Sequence, residues 1–288
     1  MNARYMRNIL GVKINSITSK EVLDDIKSFL LSENQHHIIT LNPEMIVEAQ
    51  SNDNFKNIIN EADLSVVDGT GILLADRLLN RTGLPERIRG VDLMLAICTP
   101  NIINNKRIYL LGAGKGIAER TAEVLRNKYP ELNIAGAEEG LPKGIFNFSA
   151  QGGSASGGQF SIFNKFSNRK SQIANSGMEH DFDKINKELI KRINNAKPDI
   201  LFVAFGAPKQ EIWIHENIKK IPSIRLAIGV GGSFDFISGR ICRAPRIMQK
   251  LGLEWLWRLA QEPKRSKRIY DATIKFSWMI LMAKVKGI

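Results

Sequence analysis

The sequence predicts an α/β fold in which a mostly parallel, Rossmann-like sheet carries helices on both faces, followed by a basic helical appendage at the C-terminus. Short apolar runs alternate with longer amphipathic ones over most of the chain, which is the pattern of strands joined by crossover helices. Several apolar runs, such as 107–112 and 199–206, are nearly continuous, as expected of strands buried on both faces. After residue 232 the alternation stops and basic residues become frequent.

The first half of the chain contains four predicted strands, at residues 9–14, 36–41, 64–68 and 107–112. Thr-Ser-Lys-Glu at 18–21 is a capping box that opens the first helix. Asn42 caps the next helix, with Pro43 at its first position. A helix ending near residue 80 follows the third strand, and residues 91–99 form another.

The second half predicts three more strands, at 133–139, 199–206 and 225–232, and helices at 115–128, 181–196 and 208–218. Residues 144–177 interrupt this order, because they are rich in Gly, Ser, Asn and Gln and show no periodicity. Such a segment is typical either of disorder or of a lid over a site. We therefore predict a core at 1–239, with a low-complexity insertion at about 141–181, and an appendage at 240–288.

The charge of the chain is unevenly distributed. Its formal net charge is +12, and residues 240–288 contain twelve Lys or Arg against three Asp or Glu, a net of +9. An excess of this kind predicts an anionic partner such as a phosphorylated small molecule or an anionic lipid. We expect no nucleic acid, because the core is nearly neutral and the basic residues join neither a reading helix nor a stacking sheet.

Cysteine content and hydropathy restrict the location of the protein. The only two cysteines, Cys98 and Cys242, predict neither a disulfide framework nor a zinc site. The first residues lack the apolar core of a signal peptide, and no window approaches the roughly 20 apolar residues of a spanning helix. These features predict a cytoplasmic protein that does not cross a membrane.

Five predicted strands place small or polar residues at their carboxyl ends, which is where ligands bind in open α/β sheets. These residues are Thr40, Asn42, Asp68, Gly112, Gly114, Gln210, Gly231 and Gly232. Asp68 is either a general base in a partly desolvated pocket or the cap of the helix that follows it. Thr40 and Asn42 either contact a substrate or belong to an ordinary capped helix start.

The run Gly-Ala-Gly-Lys-Gly at 112–116 lies between a strand and a helix and is similar to a phosphate-binding turn. Glu138 lies where a ribose-binding acid would follow in a dinucleotide fold, so an NAD-type oxidoreductase is an alternative function. The third spaced glycine is missing, and tight packing of strand against helix explains the same residues. We interpret Asp-Phe-Asp at 181–183 as a helix cap and expect no metal site.

The appendage combines aromatic, apolar and basic residues. A helix from about 251 to 260 ends before Pro263, and a second begins near Lys264 with an apolar stripe on one side. Basic residues beside such a stripe, with Trp278 in it, predict a helix in a membrane interface, packing on the sheet and a dimer contact being alternatives. A non-catalytic membrane-surface adaptor is therefore a further alternative function.

Six segments together are similar to the WecG/TagA/CpsF glycosyltransferases: 40–45, 63–72, 87–93, 108–116, 202–214 and 229–265. The last is the most specific, since it joins Arg-Ala-Pro, Gly-Leu-Glu-Trp and Glu-Pro in one run. The resemblance implies an inverting transferase, independent of metals and cofactors, that moves an N-acetylmannosamine-type sugar or a hexose from a UDP-sugar to an undecaprenyl-diphosphate-linked acceptor. Such enzymes act in teichoic acid and surface polysaccharide synthesis.

The resemblance also implies roles for individual residues. Asp68 would be the catalytic base with Thr40 as its partner, and Asn42 and Gln210 would contact substrate. The diphosphate would be held by appendage arginines, for which the candidates are Arg240, Arg243 and Arg246. The appendage would attach the enzyme peripherally to the inner leaflet, on the cytoplasmic face of the plasma membrane, as a single chain or as a homo-oligomer. The insertion at 144–177 departs from the family, whose members have a short connection there.

Overall fold

The computed structural model describes residues 6–80, 83–103, 105–141 and 172–287, with only the backbone described at 172–181. Its first two strands, β1 (Met6–Ile9) and β2 (Val12–Asn15), form an antiparallel hairpin. The other six are β3 (His36–Leu41), β4 (Leu64–Val67), β5 (Arg107–Gly112), β6 (Asn133–Glu138), β7 (Ile200–Ala204) and β8 (Leu226–Gly229). They form one parallel sheet in the order β4-β3-β8-β7-β5-β6, which confirms the predicted fold class.

The helices of the core are α1 (Ser19–Leu31), α2 (Pro43–Ala49), α3 (Asp53–Glu61), α4 (Thr70–Asn80), α5 (Gly90–Ile97), α6 (Pro100–Ile103), α7 (Ile117–Lys128), α8 (Gln172–Ala196), α9 (Lys209–Asn217) and α10 (Ser233–Ile237). The appendage contains α11 (Arg246–Lys250), α12 (Glu254–Gln261), α13 (Ser266–Tyr270) and α14 (Phe276–Lys286). A π-helical turn, Asp271–Lys275, joins α13 to α14 without a break.

Helices cover both faces of the sheet because successive strand side chains point in opposite directions. Ile38 and Phe202 belong to a hydrophobic cluster that includes α1, α5 and α7. Ile39, one position along β3, packs in a second cluster with the hairpin, α2, α3 and α4. Leu201, one position along β7, packs in a third with α8 and α9. The result is a three-layer core, as expected for near-continuous apolar strands.

Two local predictions were wrong in detail. The single strand expected at 9–14 is a hairpin, because Leu10 and Gly11 have φ values of 53° and 79°, a left-handed pair that reverses the chain. Helix α8 begins at Gln172, earlier than the predicted residue 181. Residues 142–171, most of the segment for which disorder or a lid was predicted, lie outside the described residues, so that question stays open.

The appendage packs on the core through α14 and the π turn, which lie against α2 and α4. Phe276 is 2% exposed and Ile280 is 3% exposed, and both belong to the cluster that contains α2, α3 and α4. Burial of side chains of this size stabilises a structure by about 2 kcal/mol each. Over the described residues, no helix has both the length and the apolarity needed to cross a bilayer.

Candidate active site

Adjacent strands at the middle of the sheet lead into helices on opposite faces. Strand β3 continues into α2, whereas its neighbour β8 continues into α10, whose Phe234 packs in the cluster on the other side. Divergent connections of this kind open a crevice beyond the carboxyl ends of the strands. The predicted residues Thr40, Asn42, Asp68 and Gln210 all lie at this crevice.

Asp68 directly follows β4 and projects into the crevice with 31% of its side chain exposed. Its Oδ2 accepts a hydrogen bond from the Gly90 N–H at 3.2 Å. Its Oδ1 lies 3.6 Å from Arg87 Nη2, and Arg87 Nε donates to the backbone oxygen of Asp68. The described contacts of this carboxylate come from residues distant in sequence, so local capping of α4 does not account for its position.

Burial raises the pKa of the Asp68 carboxyl above its ordinary value, and Arg87 and the Gly90 N–H oppose this effect. A carboxylate with a raised pKa accepts a proton more readily than one in water. Partial desolvation by crevice walls is a common means by which a catalytic base acquires its pKa. The position and environment of Asp68 therefore suit a general base.

Thr40 and Ser233 place hydroxyl groups beside Asp68. A Cβ atom added at Gly90 would lie 3.4 Å from Thr40 Oγ1, 3.5 Å from Asp68 Oδ2 and 3.6 Å from Ser233 Oγ. Thr40 Oγ1 donates to the Gly229 carbonyl at 2.8 Å, which fixes its direction. Gly90 therefore lies within contact distance of polar groups from three strand ends.

Asn42 combines both roles considered from the sequence. Its side-chain oxygen caps α2 by accepting from the Met45 N–H at 3.1 Å, and the residue also lines the crevice. Gln210 holds two glycine loops together, because its Oε1 accepts from the N–H groups of Gly206 and Gly231, each at 3.0 Å. Its Nε2 donates to Glu211 at 3.0 Å. Gln210 thus shapes the floor of the crevice.

Gly231 and Gly232 lie where the sequence predicted them, after β8. Gly231 has a φ of 52°, a left-handed conformation that favours glycine. At Gly232 a Cβ would clash with the guanidinium of Arg258, which lies directly on this glycine. The loop therefore brings an appendage arginine close to the strand ends.

Three appendage arginines that the sequence analysis did not assign line the crevice: Arg258, Arg265 and Arg268. Burial and the nearby charges of Arg258 and Arg268 lower the pKa of Arg265 to about 10, against the effect of Glu262. Arg268 donates to Glu44 at 2.6 and 2.9 Å, so it also ties the appendage to α2. An anion in the crevice would relieve the mutual repulsion of these cations.

A signal for two of these arginines was present in the sequence. Arg268 precedes Ala272, Phe276 and Ile280 by steps of four, so it continues the apolar stripe of the last helix towards its N-terminus. Arg265 lies three residues before Arg268, on the same side. Their position on that stripe indicated a common direction, whereas the charge alone suggested a lipid-facing surface.

The predicted arginines take other positions. Arg240 pairs with Asp235 at 3.0 Å and lies beside Gly114, outside the residues that line the crevice. Arg243 donates to both oxygens of Asp92, each at 2.7 Å. Arg246 is exposed and makes no hydrogen bond or ion pair with the described residues. Their spacing by three residues did not indicate their direction relative to Asp68.

The glycine turn at 112–116 lies at the end of β5, on the far side of β7 from β8, and does not line the crevice. Gly112 has a φ of 115°, and a Cβ there would lie 2.8 Å from the Ala204 backbone, so this glycine permits close packing of β5 and β7. Glu138 accepts from Tyr109 at 2.5 Å and from Arg192 at 2.7 and 3.1 Å. A ribose-binding acid would need to be free, so these contacts disfavour the dinucleotide alternative.

Two cavities meet at Asp68. The polar one, about 260 Å³, is lined by the loops after β3, β7 and β8 and by appendage arginines. The other is a groove of about 460 Å³ between α4 and the last helix of the appendage. Asn42, Asp68, Arg258, Arg265 and Arg268 line both. Asp68 is therefore reached from two directions, one polar and one largely apolar.

A group of charged residues joins the core to the appendage beside these cavities. We call it the junction cluster, and its members are Arg87, Arg89, Asp92, Arg243 and Glu254. Over the described residues, no group of three or more His, Cys, Asp or Glu side chains is arranged to hold a metal ion. Independence from metals stays a prediction.

The α/β fold, the crevice and its candidate base agree with a glycosyltransferase. The model of the glycosyl transferase WecG/TagA/CpsF family matches residues 7–151 and 143–287, and the chain belongs to this family. The chain is thus an enzyme, which argues against the adaptor alternative as well as the oxidoreductase.

Proteins of several Staphylococcus aureus strains are similar to this chain. In strains MRSA252, MW2 and NCTC 8325 they are called N-acetylglucosaminyldiphosphoundecaprenol N-acetyl-beta-D-mannosaminyltransferase. Each is 29% identical to this chain over 282 residues, which cover 97% of this chain and 93% of the relative. The similarity therefore extends through the core and the appendage alike.

Proposed function

We propose that the protein transfers an N-acetylmannosamine-type sugar or a hexose from a UDP-sugar to an undecaprenyl-diphosphate-linked sugar, with inversion at the anomeric carbon and without a metal ion. The observation that carries this proposal is the position of Asp68. This carboxylate, with its raised pKa, lies where a polar cavity and an apolar groove meet under three arginines.

The reaction is a single displacement. Asp68 takes the proton of the acceptor hydroxyl as its oxygen attacks the anomeric carbon, and the bond from that carbon to the UDP oxygen breaks. A single in-line attack inverts the configuration. The leaving diphosphate gains negative charge, which Arg258, Arg265 and Arg268 are placed to stabilise. Gly231 and Gly232 line the same polar cavity.

The apolar groove suits the lipid side of the acceptor. Leu74 and Leu78 of α4 line it together with Phe276 and Ile280 of α14, and Arg268 and Asp68 belong to the same lining. A prenyl diphosphate has this arrangement of properties, an apolar chain next to an anionic group. The Staphylococcus relatives are named for a diphosphoundecaprenol acceptor, and similarity over 97% of this chain supports the same acceptor class here.

The surface of the appendage supports peripheral association with the inner leaflet of the plasma membrane. Its exposed apolar residues are Ile247, Leu251, Trp255, Leu256, Tyr270, Ile274, Trp278, Leu281, Met282 and Val285. Lys264 and Lys267 are exposed beside them. Exposed aromatic and apolar side chains with adjacent lysines suit the headgroup region of an anionic membrane. That location would bring Asp68 to a lipid-linked substrate.

A donor panel tests the proposal. We expect UDP release from one UDP-sugar, N-acetylmannosamine or a hexose, only when a short-chain prenyl-diphosphate-linked N-acetylglucosamine is added. The product anomer, read by NMR, should have the configuration opposite to that of the donor. Release of UDP that does not depend on the acceptor, or a retained configuration, would contradict the proposal. Thermal stabilisation by NAD but not by UDP would favour the oxidoreductase.

A further inference from the structure

Glu254 occupies the centre of the junction cluster. Its Oε2 lies 2.9 Å from Arg87 Nη1 and 2.9 Å from Arg89 Nε, and its Oε1 lies 3.7 Å from Arg243 Nε. The two closest contacts lack hydrogen-bond direction, so they are ionic. One carboxylate of the appendage thus holds two core arginines and one arginine of its own segment.

We propose that Glu254 is a positioning residue that, once the appendage has docked, holds the Arg87 guanidinium away from Asp68 and so keeps Asp68 competent as a base. Because Asp68 is a base only in the proposed sugar transfer, this inference rests on the proposed function. It concerns a residue that does not itself touch the reacting atoms.

The distances show how Arg87 is shared. Its Nη2 is 3.6 Å from Asp68 Oδ1, whereas its Nη1 is 2.9 Å from Glu254. Its Nε donates to the Asp68 backbone oxygen, which keeps the guanidinium next to the carboxylate. Without Glu254, a small rotation about the Cδ–Nε bond of Arg87 would bring its Nη2 closer to Asp68 Oδ1. Arg87 and Glu254 are each only 18% exposed, so water screens these charges weakly.

The surroundings of Asp68 make the sign of the effect clear. Burial and the Glu254 charge raise the pKa of Asp68, and Arg87, Arg89 and the Gly90 N–H lower it. Other charged groups line the cavities that contain Asp68, and these are Glu44, Asp235, Arg258, Arg265 and Arg268. Loss of the Glu254 charge removes one raising effect and strengthens the pairing of Arg87 with Asp68. Both changes lower the basicity of Asp68.

Docking of one segment supplies both Glu254 and the arginines of the crevice. Gly252 packs against the start of α4 so closely that a Cβ would lie 2.6 Å from Thr70 Cγ2. Glu254 follows two residues later as the first residue of α12, and Arg258 lies one turn further along the same helix. Adjustment of the base and delivery of Arg258 therefore occur together when the appendage is docked.

The test compares three full-length proteins: wild type, Glu254→Gln and the control Asp92→Asn. The control removes the charge of the other carboxylate in the junction cluster, Asp92 of the core, which pairs with Arg243 and Arg89 and does not contact Asp68. The titration of Asp68 is followed by NMR of ¹³C-carboxyl-labelled Asp, with Asp68→Asn identifying its signal. The pH profile of kcat/KM for sugar transfer is measured in parallel.

We expect Glu254→Gln to lower the Asp68 titration midpoint by about 0.5 pH unit or more. The acid limb of kcat/KM should move by the same amount, and the plateau should fall about 3- to 10-fold as the base weakens. Asp92→Asn should leave the midpoint unchanged. Equal midpoints in all three proteins, or an equal shift in both variants, would overturn the proposal. The NMR titration does not need turnover, so it separates this outcome from failure of the proposed function.

Discussion

The pKa values of single side chains in this protein depend on the balance between burial and neighbouring charge. Asp68 shows that balance at the site, where desolvation raises its pKa and Arg87 and the Gly90 N–H lower it. Its candidacy could be predicted, because a carboxylate that follows an apolar strand lies at the ligand edge of the sheet. The partners Arg87 and Glu254 could not, because they lie 19 and 186 positions away in the printed chain and only folding brings them near.

Asp68→Asn should reduce kcat about 10²- to 10⁴-fold while the protein keeps its thermal stability. The amide retains the size of the carboxylate but cannot take the proton of the acceptor. In the wild type, the raised pKa predicts that kcat/KM falls as the pH drops through a value above that of an ordinary Asp, because the protonated form is inactive. Steady-state kinetics across pH check both points, and near-wild-type turnover of the variant would remove Asp68 from the mechanism.

Glu211 predicts a pH dependence of stability that is separate from catalysis. Burial raises its pKa to about 8, against the hydrogen bond from Gln210, and the residue is 0% exposed. The folded state therefore retains a proton that the unfolded state has lost above its ordinary pKa of 4.5, so stability falls as the pH rises from about 4.5 to about 8.

Glu211→Gln should abolish that decrease, because a neutral amide still accepts from Gln210 and carries no ionisable proton. At pH 9 the variant should be more stable than the wild type by on the order of a few kcal/mol, and near pH 5 the two should be alike. Urea unfolding at several pH values measures this. Parallel stability curves for the two proteins would mean that Glu211 is already ionised in the folded state.

Among the secondary structure elements, the strands could be predicted most closely and the last helix least closely. Six predicted strands became the parallel sheet with boundaries shifted by only a few residues. Five of them are apolar because they are buried, whereas β6 at the edge of the sheet is only partly buried. Helix α3 was missed, although Asn52 caps it and Phe55 and Ile59 form its buried stripe. For the appendage, the sequence showed an amphipathic helix but did not show which side packs on α2 and α4.

The exposed side of α14 should bind membranes. Trp278 is 62% exposed and Leu281 is 49% exposed, so replacing both with Gln should leave the free energy of unfolding nearly unchanged. Binding to vesicles that contain anionic lipid should fall about tenfold or more, because two interfacial apolar side chains are lost. Vesicle sedimentation measures the binding.

Ile280→Gln provides the matched control on the same helix. This residue is 3% exposed and packs in the core cluster, so the substitution should lower the free energy of unfolding by about 2 kcal/mol or more. Vesicle binding that is unchanged in the double Trp278 and Leu281 variant would show that this side of α14 does not contact lipid.

At the scale of the whole molecule, the α/β sheet lies in the core and most of the excess positive charge lies in the appendage. In the proposed reaction, the nearly neutral core would provide the base, and the basic appendage would provide cations for an anionic leaving group. The fold class followed from the alternation of apolar runs, whereas the anionic partner that the charge distribution indicates for the appendage stays a prediction. The strand order and the choice of arginines depend on long-range packing, which a single sequence does not specify.

The arrangement of arginines predicts that transfer does not need a divalent cation. Activity in excess EDTA should equal activity with added Mg²⁺ to within about twofold, because guanidinium groups take the place that a metal has in other transferases. Joint replacement of Arg265 and Arg268 by Met should reduce kcat/KM about 10²-fold or more. Loss of activity in EDTA that Mg²⁺ restores would contradict this account of the leaving group.

Because of the π turn between α13 and α14, the number of residues in this stretch decides which side chains of the last helix line the groove. Positions four apart drift by about 40° per step on a regular α-helix, so Arg268 and Ile280 would diverge by about 120°. The wider turn at Asp271–Lys275 reduces this drift, and both residues line one groove. Deleting one residue there would rotate the rest of the helix by about 100° and remove Phe276 from its buried position in the core cluster. Evolution can therefore exchange side chains in this stretch more readily than it can add or remove a residue.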